Sequence, residues 1–444
     1  MYRWWLRYSI NDRKRSRTLM KPLKKDFRHL SRPEKIKQLK DHGWIKEESE
    51  QILLNNSEID KELLENLIEN VIGQGTLPVG VLPEIIVEDK AYAVPMMVEE
   101  PSVVAAASFG SKLFNKSGGL KVVQSDNIKL GQIVFDNVTD TAQLSKDILN
   151  LESDIHQVAD QVYPSILKRG GGYRKIETDE FPEEGMLSLK VHIDTRDAMG
   201  ANIINTILEG IAHYLETQLS DTNVLMSILS NYSTTSVIRI EGKIAVSDLE
   251  KGEVSGAEVA HRMERASVLA HIDPYRAVTH NKGVMNGISS VVLASGNDTR
   301  SVEAGAHAYA SKDGQYRSLT TWKYDRNNEF LVGTIELPLT LGIIGGSIDL
   351  LPISKVTLDL LGVKTAQELA HIVASVGLAQ NFSACRALVS EGIQHGHMNL
   401  HYKSLAIKIG AKGNEIQLIT EALKNMDKPN LEAAQGLLYE MRNN

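Results

Sequence analysis

The stretch Leu187-Ser-Leu189-Lys-Val191-His192-Ile193-Asp194-Thr195-Arg196-Asp197-Ala198-Met199-Gly200-Ala201-Asn202 changes period part-way along. Leu187, Leu189, Val191 and Ile193 alternate, the period of a strand with one buried face, whereas Ala201 to Leu219 follows helical spacing. A strand that feeds a long helix through a glycine leaves free amides at the helix start, where a pyrophosphate or ribose can sit. On these residues alone a plainer account is stronger: Asp197 caps the helix and Gly200 is a packing glycine.

Outward from this junction, Gln132–Phe135 reads as a strand, and Leu144, Ile148, Leu151, Ile155 and Val158 give a helical pattern from Asp140 to Gln161. Gly170-Gly171-Gly172 then breaks the chain before a strand through Ile176. Val237–Ile240 and Ile244–Val246 read as a last strand, or as a hairpin around Glu241-Gly242. The order β-α-β-β-α-β is that of a split βαβ, ferredoxin-like unit, so 130–247 reads as a compact insertion. Before it, Pro33-Glu34-Lys35 opens a helix, and a second, through Leu63, Leu64, Leu67, Ile68 and Val71, stops at Gly73. Short strands near Pro83–Val87 and Ala91–Met97 precede an alanine-rich helix capped by Pro101-Ser102. After the insertion the chain reads helical from Glu253 to His280, from near Lys282 toward Ser295 and from Ser301 to Ala310. Leu331–Leu341 is strand-like, Ala366–Gly377 and Phe382–Gly392 are packed helices, and 411–442 is an amphipathic helical tail.

The 444 residues, 42% apolar and 24% charged, suffice for two or three cores. A net charge of −7 gives no general field for a polyanion. The first 40 residues are basic, with fourteen Lys and Arg against Asp12, Asp26 and Glu34, and 1–20 read as a solvated extension without fixed structure. No uninterrupted apolar run reaches spanning length; Leu331 to Ile353 comes nearest and is broken by Glu336, two prolines and four glycines. A single cysteine, Cys385, excludes an internal disulfide and a CxxC pair and points to a reducing, cytoplasmic setting. No phosphate-binding GxGxxG follows a strand, and there is no GxxxxGK[ST], HExxH or GxSxG string.

The chemistry-bearing residues are few. Lys282 follows Arg276 and His280 in one run and precedes Asp298 by sixteen residues; a lysine beside a carboxylate can hold a cation against a developing oxyanion. Glu69-Asn70, at the end of an apolar helix, offers an acid where the helix dipole disfavours one. His397 and His401 have i, i+4 spacing without a third ligand, which favours general acid work over a metal site.

Four strings, Glu69-Asn70-Val71-Ile72-Gly73, Asp197-Ala198-Met199-Gly200-Ala201-Asn202, Thr279-His280-Asn281-Lys282-Gly283 and Gly396-His397-Met398, together resemble class II 3-hydroxy-3-methylglutaryl-coenzyme A (HMG-CoA) reductase, the soluble bacterial form, over residues 21–444. Glu100-Pro101-Ser102 and Gly345-Gly346 fit the same pattern. The resemblance implies an α+β fold: a large CoA- and substrate-binding, dimer-forming domain from 21–127 and 232–391, a ferredoxin-like nicotinamide domain at 128–231, and a helical flap at 392–444. It implies a homodimer with shared active sites, higher oligomers being left open, and no nucleic-acid or membrane partner. The reaction implied is the two-step reduction of HMG-CoA to mevalonate and CoA. Lys282 would steady the oxyanion, Asp298 would orient Lys282, Glu69 would give a proton to the aldehyde-level oxygen, and His397 would protonate the CoA thiolate. Arg276 and Asn286 would bind the substrate, and Arg28 the CoA. Asp197, Ala198, Met199, Gly200 and Asn202 would hold the cofactor, with Tyr163, Lys168 and Arg169 at its 2′-end. Two cations there favour NADPH, while Asp160 leaves NADH open. The alternatives are NAD-dependent, CoA-acylating oxidation of mevalonate and a silent CoA- or nucleotide-binding module.

Overall fold

The computed structural model describes Leu23 and residues 27–443, apart from 220, 221, 251, 253, 391, 393–401 and 427. The basic extension 1–20 and His397 therefore lie outside the described residues.

In chain order the elements are α1 (Arg32–Asp41), α2 (Glu47–Leu54), α3 (Lys61–Leu67), β1 (Val79–Val87), β2 (Lys90–Met97), α4 (Val103–Lys116), β3 (Leu120–Ser125), β4 (Lys129–Asp136), α5 (Thr141–Asn150), α6 (Glu152–Val162) and α7 (Pro164–Leu167). They continue as β5 (Gly172–Phe181), β6 (Met186–Asp194), α8 (Ala201–Gln218), β7 (Asn223–Leu229), β8 (Val237–Ala245), α9 (Gly256–Ile272), α10 (Pro274–Ala294) and α11 (Thr299–Ala310). Then come β9 (Thr320–Asp325), β10 (Phe330–Pro338), α12 (Pro352–Leu361) and α13 (Ala366–Val389). Helices Asn414–Lys424 and Leu431–Asn443 close the chain, separated around Pro429.

The strands form two sheets. A mixed six-stranded sheet runs β2-β1-β3-β8-β10-β9, and a four-stranded antiparallel sheet runs β5-β6-β4-β7. Each has its own apolar core. Leu187, Leu189, Val191 and Ile193 on β6 are fully buried against Ile203, Ile204, Ile207 and Ile211 of α8, as the change of period from two to 3.6 requires. The larger core gathers α4, α9, α10 and α13 around the six-stranded sheet. By composition α13 is long and apolar enough to cross a membrane, but 72% of its most apolar window is buried inside the fold, where it packs against α4 and α10.

Three expectations are corrected. The fourth strand of the small sheet is Asn223–Leu229, not 237–246; it is an edge strand with Leu225, Met226 and Ile228 exposed, so its alternation is blurred. Val237–Ala245 is one unbroken strand inside the large sheet, without a hairpin. Its Gly242 is required by close packing, since a Cβ there would lie 2.6 Å from Leu120 and 2.7 Å from Phe114. Finally, the helix carrying Lys282 starts at Pro274, capped by the Asp273 carboxylate accepting from the Tyr275 amide, so Lys282 sits mid-helix and not near a start. β9 is a further strand, in which Thr320 and Trp322 are buried on one face.

Gly110 marks where α4 crosses α13: a Cβ there would lie 2.1 Å from the Ala379 carbonyl oxygen. Gly110→Ala should therefore destabilise the protein by about 1–3 kcal/mol. Gly436, on the terminal helix, has open space around it, and Gly436→Ala should stabilise by about 0.5–1 kcal/mol. Urea midpoints of the two variants check both signs.

Candidate active site

The junction after β6 is built by backbone constraints. Gly200 has φ +95°, and a Cβ there would lie 2.4 Å from the Thr195 methyl, so only glycine turns the chain into α8 at this point. Ile204 N returns to the Gly200 carbonyl, which leaves the preceding amides of the first turn free of helical partners. Asn202 lies exposed on that first turn.

Asp197 faces the large core. Its Oδ1 accepts from the first amide of α13, Ala366 N, at 2.9 Å, and its carbonyl accepts from Ile343 N at 2.9 Å. Ala198 bridges to Ile344, and Met199 N packs so closely on Gly342 that a Cβ at 342 would lie 2.5 Å away. The motif read from sequence as a cofactor site is thus also the joint between the two sheets.

The triple glycine lies beside it. A Cβ on Gly171 would collide with the Asp194 carbonyl at 2.5 Å, so the turn packs against the end of β6. Gly170 O accepts from Arg174 Nη2 at 3.0 Å and also from the Arg196 guanidinium. Arg174 in turn pairs with Asp194 at 2.9 Å. Lys168 and Arg169 are exposed just ahead of the turn, and Tyr163 ends α6 half-buried. Arg174 and Arg196 had been given no role from sequence; their proximity to Gly170 comes from the pairing of β5 with β6. Asp160, beside the same turn, has its Oδ1 buried without a partner.

Lys282 projects from α10 beside a cavity of about 630 Å³, lined also by Met97, Glu100, Asn286, Glu303 and His307. Its ammonium lies 2.7 Å from Glu100 Oε2 and remains largely exposed. Glu100 stood in the family pattern without a role of its own, and its pairing with Lys282 spans 182 positions of chain. Asp298 caps α11, accepting from Arg300 N at 3.0 Å and Ser301 N at 3.3 Å, and pairs with Arg300. Among the described residues it makes no ion pair with Lys282. Glu303 and His307, one turn apart on α11, join at 3.0 Å, and His307 Nδ1 meets the Tyr316 hydroxyl at 2.6 Å. Their i, i+4 spacing was the available signal.

Of the other candidates, Arg276 shares α10 with Lys282 and Asn286 but does not line that cavity. Arg28 lies in a short helical turn, Phe27–His29. Glu69 is exposed in the turn after α3, past the helix and not at its end, and takes no part in the Lys282 cavity. His401, like His397, is outside the described residues.

The comparisons with known proteins agree with one another. A sequence model of hydroxymethylglutaryl-coenzyme A reductase matches residues 31–402. The chain belongs to the HMG-CoA reductase family. It is 38% identical over 418 residues to the 3-hydroxy-3-methylglutaryl-coenzyme A reductase of Archaeoglobus fulgidus, covering 94% of each chain. It is 34% identical over 392 residues to a probable reductase of Borreliella burgdorferi, covering 88% of each. A reductase structure from Streptococcus pneumoniae superposes with a TM-score of 0.80 at 41% identity, over 94% of this chain and 99% of that one. A class II reductase from the same organism, bound to NADPH in open conformations, matches with a TM-score of 0.79 at 41% identity, over 82% of this chain and 99% of that one.

Beneath the Lys282 face of this reductase-family fold lies a buried polar chain. His280 Nε2 meets Thr320 Oγ1 at 2.5 Å, Thr320 donates to Asn381 Oδ1 at 2.9 Å, and Trp322 Nε1 donates to the same oxygen at 2.8 Å. Burial, with the Arg276 charge nearby, pulls His280 from 6.5 down to about 3, and burial pushes the neighbouring Cys385 thiol up to about 12. The folded state keeps His280 neutral while the unfolded chain protonates it below 6.5, so stability held above that pH is lost progressively toward pH 3. His280→Asn should lower stability at neutral pH and flatten its slope between those limits by about one proton, read from urea midpoints across pH. An unchanged slope would mean that His280 is not held neutral by the fold.

Proposed function

We propose that this chain reduces HMG-CoA to mevalonate and CoA, in two steps, using NADPH. The observation that carries the reading is the position of Lys282 and Asn286 on one wall of a cavity large enough for an acyl thioester, in a chain of this family. Degradative oxidation of mevalonate is not favoured, and a silent binding module is disfavoured by the retained cation and its carboxylate partner.

A dinucleotide fits the junction. Gly170, Gly172 and Gly200 all take left-handed conformations, and a Cβ on each would meet Arg196, Leu167 or Thr195, so glycine sets the backbone path of both the triple-glycine turn and the start of α8. Asn202 and the unpaired first-turn amides suit the pyrophosphate and ribose, and Tyr163, Lys168 and Arg169 suit the 2′-phosphate, with Arg174 and Arg196 adding positive charge near Gly170. NADPH supplies hydride equivalents when bound. The remaining work falls to side chains. Lys282, held by Glu100, offers an ammonium to the oxygen that gains negative charge, and Asn286 and Arg276 orient the substrate acyl group and its carboxylate. Asp298, at the cap of the next helix, keeps negative charge near that end of the cavity. Glu69 donates a proton at the aldehyde level, His397 protonates the CoA thiolate, and Arg28 contacts CoA.

Residues 128–231 act as the cofactor domain, 392–444 as the flap and the rest as the CoA-binding body, working in the cytoplasm. The apolar contacts of Tyr402, Ile419, Leu423 and Leu438 give the flap its own small core. The enzyme works as a homodimer with sites shared between subunits, a reading supported by Glu69 standing outside the lining of the Lys282 cavity, with Ile68 and Ile72 exposed around it.

Lys282→Ala should fold and lose about 3 kcal/mol of transition-state stabilisation, roughly a hundredfold or more in turnover. Glu69→Gln should be similarly impaired. Mixed and allowed to exchange subunits, the two inactive proteins should recover roughly a quarter of wild-type activity, because one site of each mixed dimer is intact. Near wild-type turnover in Lys282→Ala would remove this residue from the reaction, and no recovery on mixing would place Glu69 and Lys282 in one subunit's site.

A further inference from the structure

Lys129, at the start of β4, is almost wholly buried, 2% exposed, yet touches no carboxylate. Its ammonium spends its three donors on neutral oxygens: Asn127 Oδ1 at 3.1 Å, Thr195 Oγ1 at 2.6 Å and the Ala198 carbonyl at 3.1 Å. The nearby acids are already engaged, Asp194 by Arg174 and the Arg196 amide and Asp197 by the Ala366 amide. A buried cation without a counter-ion is costly, and the arrangement persists only if the contacts it makes matter. The adjoining cavity is about 10 Å³, the room of a single water, so the ammonium cannot meet a ligand directly.

What it grips is the turn on which the dinucleotide reading rests. Thr195 also donates to the Ala198 carbonyl at 2.8 Å, and its methyl is the group that packs on Gly200. In a trans peptide the N–H points opposite to the C=O, so holding the Ala198 carbonyl from below fixes the Met199 amide on the other side of the plane. Asn127 Nδ2 donates to the Arg196 carbonyl at 3.0 Å, so the same short segment anchors the turn at both ends.

We propose that Lys129 is a positioning residue of the cofactor site: its ammonium clamps the Ala198 carbonyl and Thr195 and so presents the 198–202 turn and the start of α8 to the dinucleotide. The proposal rests on the NADPH reading given above. Burial pulls the Lys129 ammonium down to about 8 against the opposing pull of Asp194 and Asp197, the charged groups that face it. Loss of its proton removes one of the three donors, so NADPH affinity should weaken as pH rises through that value.

The test is calorimetric titration of NADPH, and separately of CoA, into the full-length wild type, Lys129→Met and Thr195→Val, with circular dichroism to show folding. Lys129→Met should weaken NADPH binding about tenfold or more while leaving CoA binding within twofold, and should lose the wild-type weakening of NADPH binding above about pH 8. Steady-state assays should show the loss in KM for NADPH, with KM for HMG-CoA unchanged. Thr195→Val should shift NADPH affinity in the same direction and decides the matter if Lys129→Met does not fold. A folded variant with NADPH affinity within twofold of wild type, or one that loses CoA affinity in parallel, overturns the proposal. Wild type that binds CoA but no NADPH would instead overturn the cofactor reading, and this one with it.

Discussion

Asp197 joins the two cores of the molecule. Its carboxylate caps α13, the central helix of the large core, while its carbonyl holds the 342–344 segment, and both contacts come from one residue in the turn between β6 and α8. A first-turn helix amide that would otherwise be unsatisfied is paired with an anion, a favourable placement against the helix dipole. Because α13 packs directly on α10, the same contact sets the start of α8 relative to the helix that carries Lys282. Within one chain the start of α8 and the helix that carries Lys282 are therefore held in a fixed relation.

Around that joint the molecule places charge sparingly. Among the described residues Lys282 pairs with one carboxylate, Glu100, and keeps an open face to the cavity. Behind it, the His280, Thr320, Asn381 and Trp322 chain is fully hydrogen-bonded, and it stiffens the middle of α10 without adding a second cation near Lys282. On the cofactor side the balance is opposite: Arg174 and Arg196 converge on the Gly170 carbonyl, with Lys168 and Arg169 exposed alongside. Arg174 and Arg196 are both balanced by Asp194, so the exposed Lys168 and Arg169 carry the surplus positive charge on which the proposed NADPH preference rests.

Sequence carried the parts of this account that depend on period and on motif. The alternation through Ile193 and the helix after Gly200 were legible because one face of each is wholly buried. The strand at 223–229 was not, since its exposed Leu225, Met226 and Ile228 erase the alternation, and the Glu241-Gly242 pair mimicked a turn when Phe114 and Leu120 demanded the glycine for space. Lys282 was named from a motif string and Asn286 from the resemblance, and their common wall follows from helical spacing. Glu100 and Lys129 were not assigned roles, because each acts through a residue far away in the chain: 182 positions separate Glu100 from Lys282, and 69 separate Lys129 from Ala198. No local pattern encodes such pairs. In this structure Lys282 pairs with Glu100, while Asp298 caps α11 and pairs with Arg300.

The central claim is that one protein carries a thioester through both reductions to an alcohol. Its most direct test is the stoichiometry of the reaction catalysed by the full-length protein with HMG-CoA limiting and NADPH in excess, following NADPH oxidation by absorbance and CoA release by thiol titration. Two NADPH oxidised for each CoA released, with mevalonate as the product, is the predicted result. CoA release with a single NADPH consumed, leaving an aldehyde, or no NADPH oxidation at all, would contradict it.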